Sequence, residues 1–361
     1  MDITDFTRKE EVWTAFWRKE KLNRPVMCVT SPLTGDEVHT HRSDDNACAH
    51  AIMGTAEVQK KYLDSYLKMV DTTYYGGESI PHMNITLGPD QYAAFLGAEL
   101  TIKDDHFTTW VNSCVDTWEG FETKLHDDPD SYLRKIIDFI KYAVNRSEDK
   151  FIVSMLDLHS NMDAMSALRS PQELCFDLMD EPELVHKVLD EINKTYPVIL
   201  NRIYEAGDMK RTGSIGWAPT YCPPSEGRFA VVQCDFSCLI SPDQAREFVI
   251  PALREEISHL DRCVYHYDGK GALGHLDDIL AIPGIDVIQW VPGDGQPRTI
   301  EWMDLLRKIH NAGKGLWLYD WSPQEIIEHR HELSHEGVVF SVWLGSRSEA
   351  DEFLARMGPA M

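Results

Sequence analysis

The sequence predicts an α/β fold of the (β/α)8 TIM barrel type, and three observations predict it. From about residue 150 onward, short apolar runs alternate with segments of helical periodicity, a pattern typical of βα units and a parallel sheet. Signals for helix starts recur between these runs. The length of 361 residues also suits one such barrel. We therefore expect a single domain over 1–361, with an irregular, elaborated amino-terminal part at 1–150 and regular βα units at 151–361.

The predicted strands are short apolar runs that end in polar or turn-forming residues. In chain order these runs are 24–32, 150–159, 212–219, 263–268, 285–292, 313–320 and 337–343. Helices are predicted from apolar spacings of three and four residues, near 56–70, 171–179, 183–206, 243–260, 300–311, 323–335 and 347–357. Pro251 should kink the helix that contains it. The segment 74–100 is rich in glycine and proline, which predicts loops.

Three of these helices begin with Ser-Pro followed by Gln or Glu, at Ser170, Ser241 and Ser322. The serine can cap the helix, proline fits the first turn, and the Gln or Glu three residues after the serine completes a capping box. These positions fix where the strand-to-helix loops end. A barrel of this type keeps its chemistry in those loops.

Composition and charge exclude several classes of function. The formal charge of −24, from 59 acidic against 35 basic residues, repels phosphate backbones and anionic lipid headgroups. No nucleic acid and no membrane is therefore expected as a partner. No apolar run approaches the roughly 20 residues of a membrane span, and the charged start MDITDFTRKEEVW does not resemble a signal peptide. We expect a cytoplasmic protein that acts on a small molecule.

The eight cysteines show no disulfide framework and are expected to be reduced. Only Cys234 and Cys238 lie close together, and no second pair follows to complete a structural zinc site. Either thiol could still supply a ligand if the fold brings it to the barrel mouth.

The candidates for a functional site are polar and aromatic residues near the carboxyl ends of the predicted strands, which converge on one mouth in a βα barrel. They are Asp157, His159, Trp217, Cys234, Asp235, His266, Asp268, Gln289, Trp290, Tyr319, Asp320 and Trp343. Rings beside carboxylates suit a quaternary ammonium group, an aromatic ring or a sugar face, although such rings also roof barrel cores. Asp157 and His159 lie two residues apart, so they point to the same face of the predicted strand. They either join the site or belong to a helix cap.

The stretch VYHYDGKGALGHLDD, residues 264–278, concentrates ionisable groups where a strand ends. Alternate strand residues share a face, so Val264, His266 and Asp268 point the same way. If that face points inward, His266 and Asp268 form either a metal-ligand pair or an acid and base. The alternative is a pair that is hydrogen-bonded only to satisfy both groups. The later ionisable residues are expected on a solvated helix face: His275, Asp277 and Asp278.

The segment QCDFSCLISPDQAREFVIPALREEISHL, followed by the strand that ends in HYDG, resembles the uroporphyrinogen decarboxylase-like superfamily. The resemblance covers about the last two-thirds of the chain and implies a (β/α)8 barrel. The decarboxylases of that superfamily bind a tetrapyrrole through amino-terminal arginines, and the segment RPVMCVTSP lacks their arginine-rich sequence. Porphyrinogen decarboxylation is therefore not expected.

The other branch of the superfamily comprises cobamide-dependent methyltransferases, whose zinc is held by the His and Cys of an H-x-C motif and by a later cysteine. His266 matches the first ligand, but Asp268 replaces the cysteine, and the segment FSVWLGSR contains no cysteine. A His and carboxylate site suits a harder, oxygen-bound substrate rather than a thiol acceptor such as coenzyme M.

The leading hypothesis is a corrinoid-linked methyltransferase that demethylates a small ether or amine, with the corrinoid supplied by a partner protein. His266 and Asp268, with Cys234 as a further candidate ligand, would bind zinc or act as acid and base, and Asp235 and Asp320 would orient them. The expected pocket residues are Asp157, His159, Trp217, Gln289, Trp290, Tyr319 and Trp343.

Two alternatives stay open. The first is a cofactor-free decarboxylase or other lyase acting on a small acid, which arginines at the mouth would favour; the candidates are Arg42, Arg169 and Arg228. The second is a catalytically silent binding barrel, which a blocked mouth would favour.

Overall fold

The computed structural model of the protein describes residues 3–33, 45–103 and 108–361. The strands of this part are β1 Val26–Pro32, β2 Thr73–Gly77, β3 His82–Met83, β4 Leu100–Thr101, β5 Trp110–Val111, β6 Ile152–Val153, β7 Ser214–Ile215, β8 Tyr221–Cys222, β9 Phe229–Gln233, β10 Arg262–Asp268, β11 Val287–Val291, β12 Gly315–Leu318 and β13 Val338–Trp343. Its helices are α1 Ile3–Trp17, α2 Asp45–Met53, α3 Ala56–Thr72, α4 Gln91–Phe95, α5 Tyr132–Arg146, α6 Asn161–Arg169, α7 Pro171–Asp180, α8 Pro182–Ala206, α9 Met209–Thr212, α10 Pro242–Gln244, α11 Ile250–Ile257, α12 Leu276–Leu280, α13 Met303–Asn311, α14 Pro323–His329 and α15 Arg347–Met357.

The fold is α/β, with helices around a central sheet of seven strands in the order β2-β1-β13-β12-β11-β10-β9. Every neighbouring pair is parallel except β1 with β2. Parallel neighbours bring the carboxyl ends of β1 and of β9 to β13 to one edge. Residues that follow these strands therefore share one end of the sheet.

Short strand pairs continue from the two outer strands of this sheet. β3 pairs with β6 in parallel, and the Met155 N–H donates to the carbonyl of Ile215 in β7, 2.7 Å away. β7 in turn lies beside β9. At the other margin, the Glu78 N–H donates to the Met27 carbonyl on β1 at 2.8 Å. These links place the segments after β3 and β6 near the carboxyl ends of the seven-stranded sheet.

The two faces of the sheet belong to different cores, because strand residues alternate between faces. One face carries Val264 of β10 and Val287 of β11, which pack with Trp13 and Trp17 of α1. The other carries Tyr265 and the remaining alternate residues, which pack under the surrounding helices. The prediction that Val264 and Tyr265 point to opposite faces of the sheet is confirmed. Helix α1, which the sequence analysis did not predict, inserts its tryptophans among the residues of the first face.

All three serines predicted from sequence cap their helices, but the predicted capping box is complete only at Ser241 and Ser322. The Ser170 side chain accepts from the Glu173 N–H, and Ser241 and Ser322 each form a reciprocal capping box with the Gln or Glu three residues later. Pro251 follows a π-helical turn at Ala245–Val249, where the regular α-helical hydrogen-bond pattern is already interrupted.

No helix within the described residues is both long enough and apolar enough to cross a membrane.

Candidate functional site

Six ionisable side chains meet beyond the carboxyl ends of neighbouring strands. This ionisable cluster consists of Asp157, His159, Asp163, Asp235, His266 and Asp268. Asp157 and His159 follow β6, Asp235 follows β9, and β10 carries the last two residues. Five of the six were predicted from the sequence as site residues. Asp163 was not, because it lies within the first turn of α6 and follows no apolar run.

His266 is oriented by the neighbouring strand. It lies opposite Gln289 in the parallel register of β10 and β11, and its Nδ1 lies 2.6 Å from the Gln289 Oε1. An amide oxygen accepts hydrogen bonds, so this contact places the ring proton on Nδ1 and leaves the Nε2 lone pair free. Gln289, predicted as a substrate-binding residue, therefore fixes the tautomer of His266.

Asp157 and His159 form the second part of the cluster. The Asp157 carboxylate accepts from the Gln233 side chain at 2.8 Å, and its other oxygen lies 3.5 Å from the His159 Nε2. Burial opposes the charge on each residue, but the attraction between the two groups outweighs it. The pKa of Asp157 is lowered, and with Asp163 also contributing, the pKa of His159 is held well above its ordinary value. His159 is thus a buried cation among carboxylates.

Asp163 and Asp235 are held together by the backbone. The Asp163 carboxylate accepts from the N–H groups of Asp235 and Phe236, at 3.0 and 2.8 Å, so it fixes the turn that presents Asp235. Burial and the neighbouring Asp163 carboxylate raise the pKa of Asp235 to about 6, against the opposing effect of His159 and His266. Asp235 can consequently be either protonated or ionised near neutral pH.

Two groups of three residues within the cluster have the spacing needed to hold a metal ion. They are His159, Asp163 and Asp235, and Asp235, His266 and Asp268, with the potential ligand atoms of each group within 4.8 Å of one another. Asp235 belongs to both. In the second group, Asp235 Oδ1 and Asp268 Oδ1 are buried and have no hydrogen-bond partner among the described residues. Orphaned buried carboxylate oxygens call for a proton or a cation.

A fully buried carboxyl group, Glu256 of α11, lies beneath the cluster. It accepts hydrogen bonds from the Ser160 hydroxyl and, at 2.8 Å, from the Asn161 side chain. Asn161 also donates to the Gln233 carbonyl at 3.2 Å. Burial raises the pKa of Glu256 to about 7. No sequence pattern pointed to this residue, because it lies on a regular amphipathic helix.

A cavity of about 480 Å³ lies beside the cluster. Residues of β1, β2, α3 and β13 and the segment after β3 line this aromatic cavity. Its rings and polar residues include Tyr62, Tyr66, Tyr75, His82, Asn84, Trp217, Ser341 and Trp343. Burial lowers the pKa of His82, so its ring is neutral. No Lys, Arg, Asp or Glu is found among the described residues that line it.

Trp217 connects the cavity to the cluster. Its ring lies edge-on to His266, with ring centroids 5.2 Å apart, and the same residue lines the aromatic cavity. It also meets the ring of Trp317, at 6.0 Å. Trp217 and Trp343, both predicted as pocket residues, therefore lie in the wall of one cavity, and Trp217 also contacts His266 of the cluster.

Three predicted site residues lie elsewhere. Trp290 points to the opposite face of β11 from Gln289, and it packs against Tyr267 and Trp302 on the helix-covered face. Cys234 likewise faces the helices and belongs to neither metal-spaced group. Burial holds the pKa of its thiol well above the ordinary value. The Asp320 carboxylate accepts from the backbone N–H and the hydroxyl of Thr299, which makes it a structural cap rather than a member of the cluster.

Tyr319 lies near the cluster but has a mainly structural environment. Its ring packs on Trp317, with centroids 5.6 Å apart. Burial and the nearby Asp320 and Asp268 carboxylates raise the pKa of its hydroxyl to about 12, so it stays protonated.

The two arginine candidates that the structure describes, Arg169 and Arg228, do not supply a counter-ion to the cluster. Arg169 pairs with Asp177, 2.9 Å away, and Arg228 lies over the ring of Tyr204 beside the amino end of β9. Arg42 lies outside the described residues. The described part of the chain therefore offers no arginine–carboxylate recognition at this site.

Comparison with known proteins finds similarity at the level of the fold. No family model matches the chain, and no curated protein matches it. Among solved structures, the chain is similar to a methyltransferase from Methanosarcina mazei, with 13% sequence identity and a TM-score of 0.60 over 92% of both chains. At this identity the likeness establishes a common α/β architecture over nearly the whole chain.

Proposed function

We propose that the protein is an enzyme of the uroporphyrinogen decarboxylase-like superfamily, built on its (β/α)8 barrel, that demethylates a small ether or amine and passes the methyl group to the corrinoid of a partner protein. The observation that carries this proposal is the group Asp235, His266 and Asp268, whose ligand atoms lie within 4.8 Å of one another at the carboxyl end of the sheet. The fold similarity to a methyltransferase supports it.

The chemistry of demethylation explains why such a group is needed. The bond between the methyl carbon and the oxygen or nitrogen breaks, and its electron pair stays on the leaving atom. The methyl carbon gains its new bond from the electron pair of the partner's reduced corrinoid. The leaving atom therefore has to take up a proton or be coordinated by a cation as its charge develops.

The residues present fit a zinc ion. Asp235 and Asp268 each keep a buried, unpartnered carboxylate oxygen, and Gln289 holds His266 with Nε2 free, as in other metal-binding histidines. A zinc ion bound by these three residues would supply Lewis acidity to the leaving atom. One nitrogen and two carboxylate ligands form a harder set than a thiolate site and favour oxygen over sulfur.

The remaining cluster residues set the charge and the supply of protons. His159 is cationic, so it offsets part of the charge of Asp157, Asp163 and Asp235. Asp163 holds the turn that presents Asp235. With a pKa of about 6, Asp235 can hold a proton when no cation is bound and release it when one binds.

The two alternatives receive less support. An arginine that recognises a substrate carboxylate would favour a decarboxylase for a small acid, but Arg169 pairs with Asp177, Arg228 lies over Tyr204, and the cation of the cluster, His159, is surrounded by Asp157, Asp163 and Asp235. A silent barrel would have a blocked mouth, whereas a cavity of about 480 Å³ lies beside the cluster.

Metal content tests the proposal directly. We expect stoichiometric zinc, measured by mass spectrometry, in wild-type protein purified without chelator, and its loss in His266→Ala and Asp268→Ala. Asp320→Ala is the matched control, because Asp320 bonds to Thr299 and not to the cluster. It should retain the metal.

The absence of metal from the wild type would remove the proposed zinc role. Metal retained in both cluster variants would place the binding site elsewhere. A second measurement, methylation of free cob(I)alamin by candidate ethers and amines, then tests methyl transfer independently of zinc.

A further inference from the structure

We propose that Cys238 and His275 are positioning residues of the candidate site. They join the turn that presents Asp235 to the turn that follows Asp268, and so they set the separation of the two carboxylates. This inference rests on the proposed function, since it names the residues that fix the geometry of the proposed zinc site. Two hydrogen bonds between the turns, and the close packing of Cys238 against two glycines, carry it.

The two carboxylates are presented by two 3-10 turns that pack on each other. Asp235 begins the turn Asp235–Leu239, and Asp268 ends β10 just before the turn Lys270–His275. The first turn is anchored at its start, where the Asp163 carboxylate accepts from two of its backbone N–H groups. The contacts at its other end therefore determine where the turn lies relative to Asp268.

Cys238 supplies the anchor at that other end. Its Sγ lies 2.9 Å from the backbone carbonyl oxygen of Asp268. A carbonyl oxygen can only accept, so the thiol donates its proton to it. The bond is made to the backbone of Asp268 itself, and it therefore acts directly on the segment that carries one of the two carboxylates.

His275 joins the same two turns in the opposite direction. Its Nε2–H donates to the Ser237 carbonyl oxygen, 2.9 Å away. The residue is 2% exposed, so the expectation that it lies on a solvated helix face is wrong. The turn before α12 directs its ring inward, toward Ser237. Because each turn both donates to the other and accepts from it, the two bonds resist rotation as well as separation of the turns.

Two glycines after Asp268 allow Cys238 to approach this closely. A Cβ at Gly269 would lie 2.8 Å from the Cys238 Sγ, and a Cβ at Gly271 would lie 2.7 Å from the Cys238 carbonyl oxygen. Gly269 also has a φ of +82°, in the region that favours glycine. The contact with Cys238 is therefore one physical reason why the loop after Asp268 contains glycines.

The separation of the two carboxylates decides whether a cation can contact both. The potential ligand atoms of Asp235, His266 and Asp268 lie within 4.8 Å of one another. Ligand distances in a metal site are fixed to about 0.2 Å, so a shift of about 1 Å in one turn takes a ligand out of reach. Neither metal-spaced group among the described residues includes Cys238, so we assign it to positioning rather than to ligation.

Crystal structures of the metal-free protein test the positioning directly. Cys238→Val keeps a side chain of similar size but removes the donor, whereas Cys238→Ser keeps a donor. We expect the Asp268 carboxylate to move by about 1 Å or more relative to Asp235 in Cys238→Val, and to stay within about 0.5 Å in Cys238→Ser. An unmoved Asp268 in Cys238→Val, or an equal shift in both variants, would overturn the role of the hydrogen bond.

His275→Phe tests the other bond and provides a second variant if Cys238→Val does not fold. It keeps a buried ring but removes the donor to Ser237. The Asp235 carboxylate should move by about 1 Å relative to Asp268. An unmoved Asp235 would remove His275 from the proposal.

Two glycine variants of the same turn provide a matched pair that leaves Cys238 in place. The added Cβ of Gly271→Ala presses on the Cys238 carbonyl, whereas that of Gly274→Ala meets the Pro242 Cγ at 3.2 Å. Zinc affinity, measured by competition with a chelating dye, should fall about tenfold or more in Gly271→Ala and in Cys238→Val. It should stay within about threefold of the wild type in Gly274→Ala and in Cys238→Ser. Equal affinities in the two alanine variants would overturn the proposal.

Cobalt(II) in place of zinc separates positioning from ligation. A thiolate ligand gives cobalt an intense charge-transfer band in the near ultraviolet, because the soft sulfur donates charge to the metal. We expect no such band in the wild type. A band that disappears in Cys238→Ser would show that Cys238 binds the metal, which would overturn its positioning role.

The crystal structures require neither zinc nor a corrinoid, so they separate this inference from the proposed function. A displaced Asp268 in Cys238→Val, with no zinc bound by the wild type, would preserve the positioning role and refute the proposed zinc site. Zinc bound by the wild type, with Asp268 unmoved in that variant, would preserve the zinc site and refute the positioning role.

Discussion

The ionisable cluster and the aromatic cavity both adjoin Trp217, which contacts His266 and lines the cavity, yet they differ in almost every physical property. One side brings together four carboxylates and two histidines, with two buried carboxylate oxygens left without partners. The other has tyrosines, tryptophans and neutral polar groups, with no Lys, Arg, Asp or Glu among the described residues of its lining. The indole ring of Trp217 contacts His266 and also lines the cavity.

This difference separates reaction chemistry from recognition. Burial and the Asp163 carboxylate raise the pKa of Asp235, and Asp157 and Asp163 raise that of His159 against the effect of burial; such shifts suit proton or cation handling. A neutral aromatic wall instead favours binding of an apolar body. Substitutions on the cluster side should therefore alter metal content and kcat, and substitutions on the cavity side should alter KM.

Asp235→Asn should have the largest effect, because Asp235 is the one residue common to both metal-spaced groups. The amide has nearly the same shape as the carboxylate, and the backbone hydrogen bond to Asp163 stays available. It lacks the negative charge, however, and cannot exchange a proton. We expect loss of bound metal and a fall in kcat of about 100-fold or more, measured as methyl transfer to cob(I)alamin.

The control for this substitution is Asp320→Asn, which changes a carboxylate that caps the Thr299 turn. Its kcat should stay within about twofold of the wild type, as for most substitutions away from a site. Equal losses in the two variants would mean that the cluster has no special role.

The residues of the ionisable cluster could be predicted from the sequence better than those of the aromatic cavity. Period-two alternation correctly put Val264 on the opposite face from Tyr265, and His266 and Asp268 follow from the same alternation. Applied consistently, it would also have excluded Trp290, which is opposite in parity to Gln289 and faces the helices. The structure corrects that choice for a reason already visible in the sequence.

Other features could not be read from local patterns. Asp163 lies within a helix and acts on the backbone of Asp235, 72 positions later, so only tertiary structure brings them together. The aromatic cavity draws on the two-residue strand β3 and the helix α3, which have no strong periodic signal for a site. Helix α1 is different, since the spacing of Trp13, Phe16 and Trp17 could have predicted its buried face. The single-domain organisation stays a prediction.

The second-largest effect is expected on the free energy of unfolding, and it comes from the burial of Glu256. The pKa of Glu256 is raised from 4.5 to about 7 by burial, so its charged form destabilises the fold by about 3 kcal/mol. Below pH 4.5 the carboxyl is protonated in both the folded and unfolded states, and there is no penalty. As pH rises through about 7, the folded protein loses this stability. Urea unfolding of the wild type should reveal this loss between pH 5 and pH 8.

Glu256→Gln cannot ionise and should lack that loss. At pH 8 the variant should be more stable than the wild type by up to about 3 kcal/mol, reduced by about 1 kcal/mol if the amide cannot keep both hydrogen bonds from Ser160 and Asn161. At pH 5 it should be equal or slightly less stable. An unchanged pH dependence in the variant would show that Glu256 is not the group responsible.

The smallest effect is expected on the neutral side, from Trp343→Ala. Trp343 is 41% exposed and lines the aromatic cavity, so its loss removes part of one wall without touching the cluster. The KM for the methyl donor should rise about three- to tenfold, as expected for loss of one ring contact, while metal content stays at the wild-type value. Metal loss in this variant would show that the cavity wall and the cluster are coupled. Trp217 would then be the first described residue to test for that coupling, because it lines the cavity and packs edge-on against His266.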